Sequence, residues 1–435
     1  MSTFADAAPT AEVWTSELSS ALSVIDYARR LHGRPGMLWF DSATGGTLQV
    51  SDQMLDRYSF LTSDPIDRIQ IDLENCGQDE GDFEACWDML ERRVNQLPPR
   101  DRSLPPMQGG WAGLIGYEAG CLLEPVEPAL VDDLPTPVID LALYDWCLAI
   151  DHRDETMTVI VRNVDGTTDG PRRMQEVLAW LSNETPLVGN AGEIRPTRNE
   201  SRDRVRSNFA VGDFSNSVQG IVDRICRGDS FQVNLAQRLL CESDLPSFEI
   251  YESLRRANPA PFAVWLSSQF RNRPYEILSS SPEGFLNVRD RRVITRPIKG
   301  TVERLGDDDD ARRGEQLIAS EKDRAENVMI VDLMRNDLSR VCDDGSVRVT
   351  KLCGLEQYQH VQHLVSVVEG VLRSDENVVS MMRSCFPGGS ITGAPKVEAM
   401  RTIAELEPHR RGAYCGSMGY FSSPHDGDWN ILIRT

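Results

Sequence analysis

Five strand-like runs crowd the second half of the chain: FQVNLAQRLL from Phe231, FAVWL from Phe262, YEILSSS from Tyr275, GFLNV from Gly284 and RVITRPIKG from Arg292. A parallel pair of strands needs a crossover of about a dozen residues or more, whereas antiparallel neighbours need only a turn. Strands separated by short turns, with helices grouped between them, therefore predict an α+β fold built on antiparallel sheets. Helices are expected over Phe214 to Arg227, stopped by Gly228, over Ala311 to about Leu338, and over VEAMRTIAELE from Val397. Within the long stretch, Val328, Met329, Val331, Leu333 and Met334 are expected on the buried side. HLVSVVEGVL, YCGSMGYF and WNILIRT read as closing strands. The first half mixes the runs MLWF, RIQIDL and LALYDWCLAI with Gly/Pro turns and one helix over Phe83 to Leu97. The polar segment from Val188 to Arg206 holds Gly and Pro and reads as a linker. The expected organisation is an N-terminal lobe over 14–187, a linker over 188–206 and a C-terminal domain over 207–435.

Acidic residues outnumber basic ones by 67 to 46. A net charge of −21 disfavours nucleic acid, whose phosphates call for a basic surface. No apolar run approaches the roughly 20 residues that span a bilayer, and the N-terminus shows no secretory signal. The ten cysteines form no C-x-x-C pair, so buried reduced thiols are expected rather than disulfides or zinc ligands. Together these features predict a cytoplasmic protein that binds neither membrane nor nucleic acid.

Three constellations carry chemistry. In RPIKGT, Pro297 and Gly300 frame Lys299 at a strand end. By itself that is a surface lysine on a turn, but SPEGF places Glu283 in a similar turn upstream. Two neighbouring antiparallel strands would bring the pair into one cleft, as nucleophile and general acid. In KDRAENVMIVDLMRNDL, Asp323 and Glu326 stand at i, i+3 and share a helix face, where two carboxylates suit a hard cation. The alternative is a pair of exposed acids offset by Lys322 and Arg324. In GGSITGAPK, the glycines have Walker A spacing, yet Ala394-Pro395 stands where Lys-Ser/Thr belongs. Glycines before a helix expose backbone amides, and Pro395 suits its first turn, so a carboxylate site is the better reading. His363, heading its strand, is a further site candidate, with a structural histidine as the alternative. Cys415 lacks a nearby histidine and acid, and no glutaminase machinery is present.

Taken in order, SPEGF, RPIKGT, KDRAENVMIVDLMRND, FPGGSITGAPKVEAM and RGAYCGSMGYF resemble the chorismate-utilising enzyme family over about Phe209 to Thr435. GGWAGLIGYEAG is similar to the family's N-terminal lobe. The resemblance implies a two-lobed sandwich of antiparallel β-sheets with outer helices. PIKGT looks like the aminodeoxychorismate synthase branch, since anthranilate synthases usually carry Ala where Lys299 stands. Gln232 occupies the place of the water-activating lysine of isochorismate synthases, which argues against hydroxylation at carbon 2. The implied reaction joins chorismate and ammonia to give 4-amino-4-deoxychorismate for p-aminobenzoate and folate synthesis, the ammonia coming from a partner glutaminase subunit. Lys299 is the implied nucleophile, Glu283 the acid and His363 a cleft histidine. Arg434 and Tyr414 are implied carboxylate contacts, aided by the amides near Thr392 and Gly393, and Glu326 with Asp323 are implied Mg2+ ligands.

The family continues past the position of Thr435 with a strand, a Gly-rich turn and a helix bearing a second glutamate ligand. The expectation for a chain ending at Thr435 is accordingly an incomplete metal site and weak turnover. Anthranilate synthase component I and a non-catalytic chorismate-binding subunit are the competing readings.

Overall fold

The computed structural model describes residues 12–19, 22–44, 56–74, 76, 82–182, 205–358 and 361–435. Most of the expected linker over 188–206 thus lies outside the described residues. Two antiparallel sheets stack face to face. The smaller has seven strands in the order Val13–Glu17, Thr156–Arg162, Trp146–Asp151, Tyr58–Thr62, Leu38–Asp41, Phe262–Phe270 and Arg273–Ser281. The larger runs Ile298–Glu303, Val361–Val371, Arg292–Thr295, Gly284–Arg289, Asp426–Asn430, Ser417–Ser423, Gly110–Ile115, Ile139–Tyr144 and Asp67–Ile71. A tenth strand, Arg348–Gln357, pairs with Val361–Val371. Each sheet draws strands from both halves of the chain.

Side chains alternate across a strand, so a strand between two layers is apolar on both faces. That explains LALYDWCLAI. Ile139, Leu141 and Leu143 pack outward beneath the helices of the larger sheet, whereas Ala142 and Tyr144 point into the space between the sheets. At Asp145 the chain changes sheet, and Trp146, Leu148 and Ile150 then face the helices on the other side. The buried Asp145 carboxylate is held at 3.0 Å by Arg173. The layers are helix, sheet, sheet, helix, which is the expected α+β sandwich.

Several boundaries differ from expectation. The helical stretch after Asp309 is two helices, Asp310–Ala319 and Glu321–Ser339, because the Ser320 hydroxyl accepts the Asp323 N–H as an N-cap and starts a new helix. The buried side of the second is Asn327, Ile330, Val331, Met334, Asp337 and Leu338. Val328, expected inside, is 39% exposed. Asn327 takes the inner position because its amide is satisfied there, donating to the Leu364 carbonyl at 3.2 Å and accepting from the Ser366 hydroxyl. FQVNLAQRLL keeps only Gln232–Val233 and Leu239–Leu240 as strand. Its middle is diverted by side-chain bonds: Asn234 donates to the Ser390 carbonyl and the Ala236 N–H to Glu407, both at 2.7 Å. Tyr414 and Cys415 lie in a turn before the strand Ser417–Ser423, and the last strand ends at Asn430.

Candidate active site

The chain steps from the smaller to the larger sheet at Pro282-Glu283, between the strands ending at Ser281 and beginning at Gly284. The crossing is pinned: the Ser281 hydroxyl donates to the Ile431 carbonyl at 2.5 Å, and the Ile431 N–H donates to the Glu283 carbonyl at 3.0 Å. Residues 431–435 therefore run beside Glu283. A cavity of 360 Å³ opens here, lined by Glu283, Lys299, Thr301, His363, Tyr414 and Arg434 among others.

Lys299 arrives by an irregularity rather than by direct pairing with the Glu283 strand. The chain breaks at Arg296-Pro297, and Ile298–Glu303 pairs with Val361–Val371, not with Gly284–Arg289. The register shifts between Ile298 and Thr301, where Gly300 has φ +83°. A bulge of this kind re-aims the neighbouring side chain. A Cβ on Gly300 would lie 3.0 Å from Cβ of Asp323, so the Lys299 segment and the Glu321–Ser339 helix are in close contact.

Glu283 is 6% exposed. Burial pushes its carboxyl up to about 7, against the opposing pull of the Ser390 hydroxyl, the Lys299 charge and a backbone bond at Ile298. An acid poised there can donate and recover a proton at neutral pH. The Lys299 amine donates to the Ser390 carbonyl at 3.0 Å. Ser390 thus bears on both groups: its hydroxyl favours the Glu283 carboxylate, and its carbonyl accepts from the amine. His363 is buried, and its Nδ1 meets the Thr301 hydroxyl at 2.8 Å. Among the described residues, its Nε2 has no hydrogen-bond partner. Burial and the Arg434 charge lower its pKa to about 4, so the ring is neutral at physiological pH.

Tyr414 and Arg434 line the same cavity, with Arg434 Nη1 3.3 Å from Asn258 Oδ1. Thr392 and Gly393 do not line it. The Thr392 hydroxyl donates to the Gly388 carbonyl at 3.0 Å, and Gly393 pairs with Val233 in a short ladder. The loop instead presents Ser390 and Ile391. Gln232 pairs with Ala394 in that ladder, outside the cavity lining, with its buried Oε1 unpartnered among the described residues. Lys396 is not a phosphate ligand: it binds Asp337 at 2.7 Å and the Cys385 carbonyl at 2.7 Å, joining three helical segments. Pro395 serves as the cap preceding the helix Lys396–Leu406 rather than as its first turn.

Asp323 and Glu326 share one helix face beside the lysine segment. Asp323 accepts the Ser320 hydroxyl, and Glu326 has Lys322 at 3.9 Å. Two half-buried carboxylates with so little neutralising charge are the donor type Mg2+ prefers, and they fit as part of an oxygen set. Among the described residues, no group of three or more His, Cys, Asp or Glu stands ready for a metal.

Sequence reasoning passed over Ser390, Asn234, Thr301 and Arg411, all of which line the cavity. Arg411 is bidentate to Glu407 and also donates to the Ile391 and Asn234 carbonyls, at 3.0 and 2.6 Å. The position of Ser390 inside a Gly-rich loop was the available signal for it. Glu407 stands four residues from Arg411, but the Ile391 and Asn234 carbonyls that tie Arg411 to the cavity are distant in sequence. A second cavity, of 300 Å³, lies between the sheets around Phe60, Phe262 and Tyr420, and none of the candidate residues opens onto it. Cys147, Cys342, Cys385 and Cys415 are buried free thiols. Burial pushes Cys415 up to about 11 and Cys147 up to about 12, which leaves both unreactive. Among the described residues, no helix is long and apolar enough to cross a membrane.

A family model described as chorismate binding enzyme matches residues 38–435. Aminodeoxychorismate synthase component 1 of Bacillus subtilis (strain 168) is 36% identical over 394 residues, covering 87% of this chain and 81% of that protein. The protein of the same name from Klebsiella aerogenes is 40% identical over 341 residues, covering 78% and 71%. Among solved structures, anthranilate synthase component I from Streptococcus pneumoniae TIGR4 superposes with a TM-score of 0.74 at 28% identity, covering 95% of this chain and 88% of that one.

Proposed function

The chain belongs to the chorismate-binding enzyme family, and from that premise we propose that it replaces the 4-hydroxyl of chorismate by an amino group, yielding 4-amino-4-deoxychorismate. The observation that carries this reading is the meeting of Lys299 and a protonatable Glu283 at one residue, Ser390, in one cavity. Once it has given up its proton, the Lys299 amine attacks carbon 2, and the ring double bonds shift. The 4-hydroxyl departs as water with the Glu283 proton. Ammonia adds at carbon 4 and expels the lysine amine, and the Glu283 carboxylate takes up the extra ammonium proton. The pyruvyl ether is retained. Arg434 and Tyr414 bind substrate carboxylate in this reading, and neutral His363 offers Nε2 as a hydrogen-bond acceptor. Asp323 and Glu326 would hold Mg2+, which supplies positive charge for the substrate carboxylate.

Ammonia comes from a separate glutaminase subunit, and ammonium salts replace it. A reducing, cytoplasmic setting accords with the buried free thiols Cys147, Cys342, Cys385 and Cys415. The test is product mass after incubation with chorismate, Mg2+ and ammonium, together with the intact mass of the chain without ammonium. Aminodeoxychorismate and an adduct on Lys299 are expected, both lost in Lys299→Arg, whose guanidinium stays charged. Anthranilate as product, or wild-type turnover by Lys299→Ala, refutes the reading.

A further inference from the structure

We propose that Asn234 is a positioning residue for the Lys299 amine and acts through the peptide carbonyl of Ser390. The inference rests on the reading of Lys299 as nucleophile. A carbonyl oxygen has two lone pairs. The Ser390 oxygen gives one to Asn234 Nδ2 at 2.7 Å and the other to Lys299 Nζ at 3.0 Å. Asn234 is itself fixed at every polar group. Its N–H donates to the Thr392 carbonyl at 2.9 Å, and its carbonyl accepts from Arg411 Nη2 at 2.6 Å. Its Oδ1 accepts from Gln232 Nε2 at 3.3 Å. With both ends of the amide engaged, the side chain has one orientation, and so has the carbonyl it holds.

That matters because lysine is a point charge on a flexible four-carbon stem. Nothing in the stem decides where the amine points, so its hydrogen-bond partner must. One N–H directed at an immobile carbonyl fixes the nitrogen and confines its lone pair to directions away from Ser390. The same residue's hydroxyl favours the Glu283 carboxylate, and both residues line the one cavity. Freeing the carbonyl loosens the attacking atom. Misplacement of a reacting group by about 1 Å costs on the order of a hundredfold in rate.

The experiment compares Asn234→Asp and Asn234→Leu with the unmutated chain. Both are close to asparagine in shape, and neither donates to the Ser390 carbonyl at neutral pH. One measurement is the rate at which the intact mass gains the chorismate adduct, with Mg2+ and without ammonium. The other is steady-state amination with ammonium. We expect adduct formation and kcat to fall about tenfold to a hundredfold with KM changed by less than about twofold. In a Lys299→Ala background, Asn234→Asp is expected to cause no further loss of residual turnover, since it acts only through the lysine. Adduct formation at the unmutated rate in Asn234→Asp overturns the inference. So does a raised KM at constant kcat, or losses that multiply in the double variant. Failure of the unmutated chain to form any adduct removes the nucleophile reading itself, and is seen separately.

Discussion

The Glu283 carboxyl titrates at about 7 in the folded chain, against an ordinary value of 4.5. Burial is the chief cause: the cavity wall penalises the charged form more than Ser390 and Lys299 favour it. Between these two values the folded chain binds a proton that the unfolded chain has released, so stability falls as pH rises through this window. The difference corresponds to roughly 3 kcal/mol, fully present as a cost above pH 7 and absent below about 4.5. Glu283→Gln replaces the acid by a neutral group of the same shape and removes that cost. The variant is expected to match the parent in stability near pH 4.5 and to exceed it by about 3 kcal/mol at pH 8, or about 3 °C in Tm for a chain of this length. Turnover falls about a hundredfold or more, because the leaving hydroxyl loses its proton donor. Thermal melts of both proteins across pH 4.5–8 test this. A stability difference that is flat with pH, or a variant less stable at pH 8, refutes the argument that burial sets the Glu283 proton.

Ser390→Ala removes the hydroxyl that favours the Glu283 carboxylate, so the Glu283 midpoint is expected to rise further, read from the carboxyl stretch in infrared titration. Arg411→Leu leaves Glu407, 4% exposed, without its bidentate partner, and a loss of roughly 3–5 kcal/mol in denaturant unfolding is expected. Gly393→Ala sets a Cβ 2.1 Å from the Gln232 carbonyl oxygen at φ +144°. The ladder between Gln232–Val233 and Gly393–Ala394 then opens, and loss of turnover is expected together with a lowered Tm.

Much of this protein is written locally. The antiparallel class followed from short gaps between apolar runs, and the helix Asp213–Arg227 stops where Gly228 permits the left-handed cap. The motifs also named Glu283, Lys299 and His363, and the family resemblance added Tyr414 and Arg434; the fold gathers these five around one cavity. Other features were illegible because they depend on groups far apart in the chain. Val328 and Asn327 exchange their expected places because the partners of Asn327 lie on the strand Val361–Val371. The sheet change at Asp145 leaves no trace in an apolar run that is buried on both faces throughout. Ser390 became visible as the common partner of acid and amine only once four separate segments met. Periodicity and turn chemistry act over a few residues and are set by the sequence itself; which buried polar group finds which partner is set by packing, because a hydrogen bond requires proximity and sequence distance does not supply it.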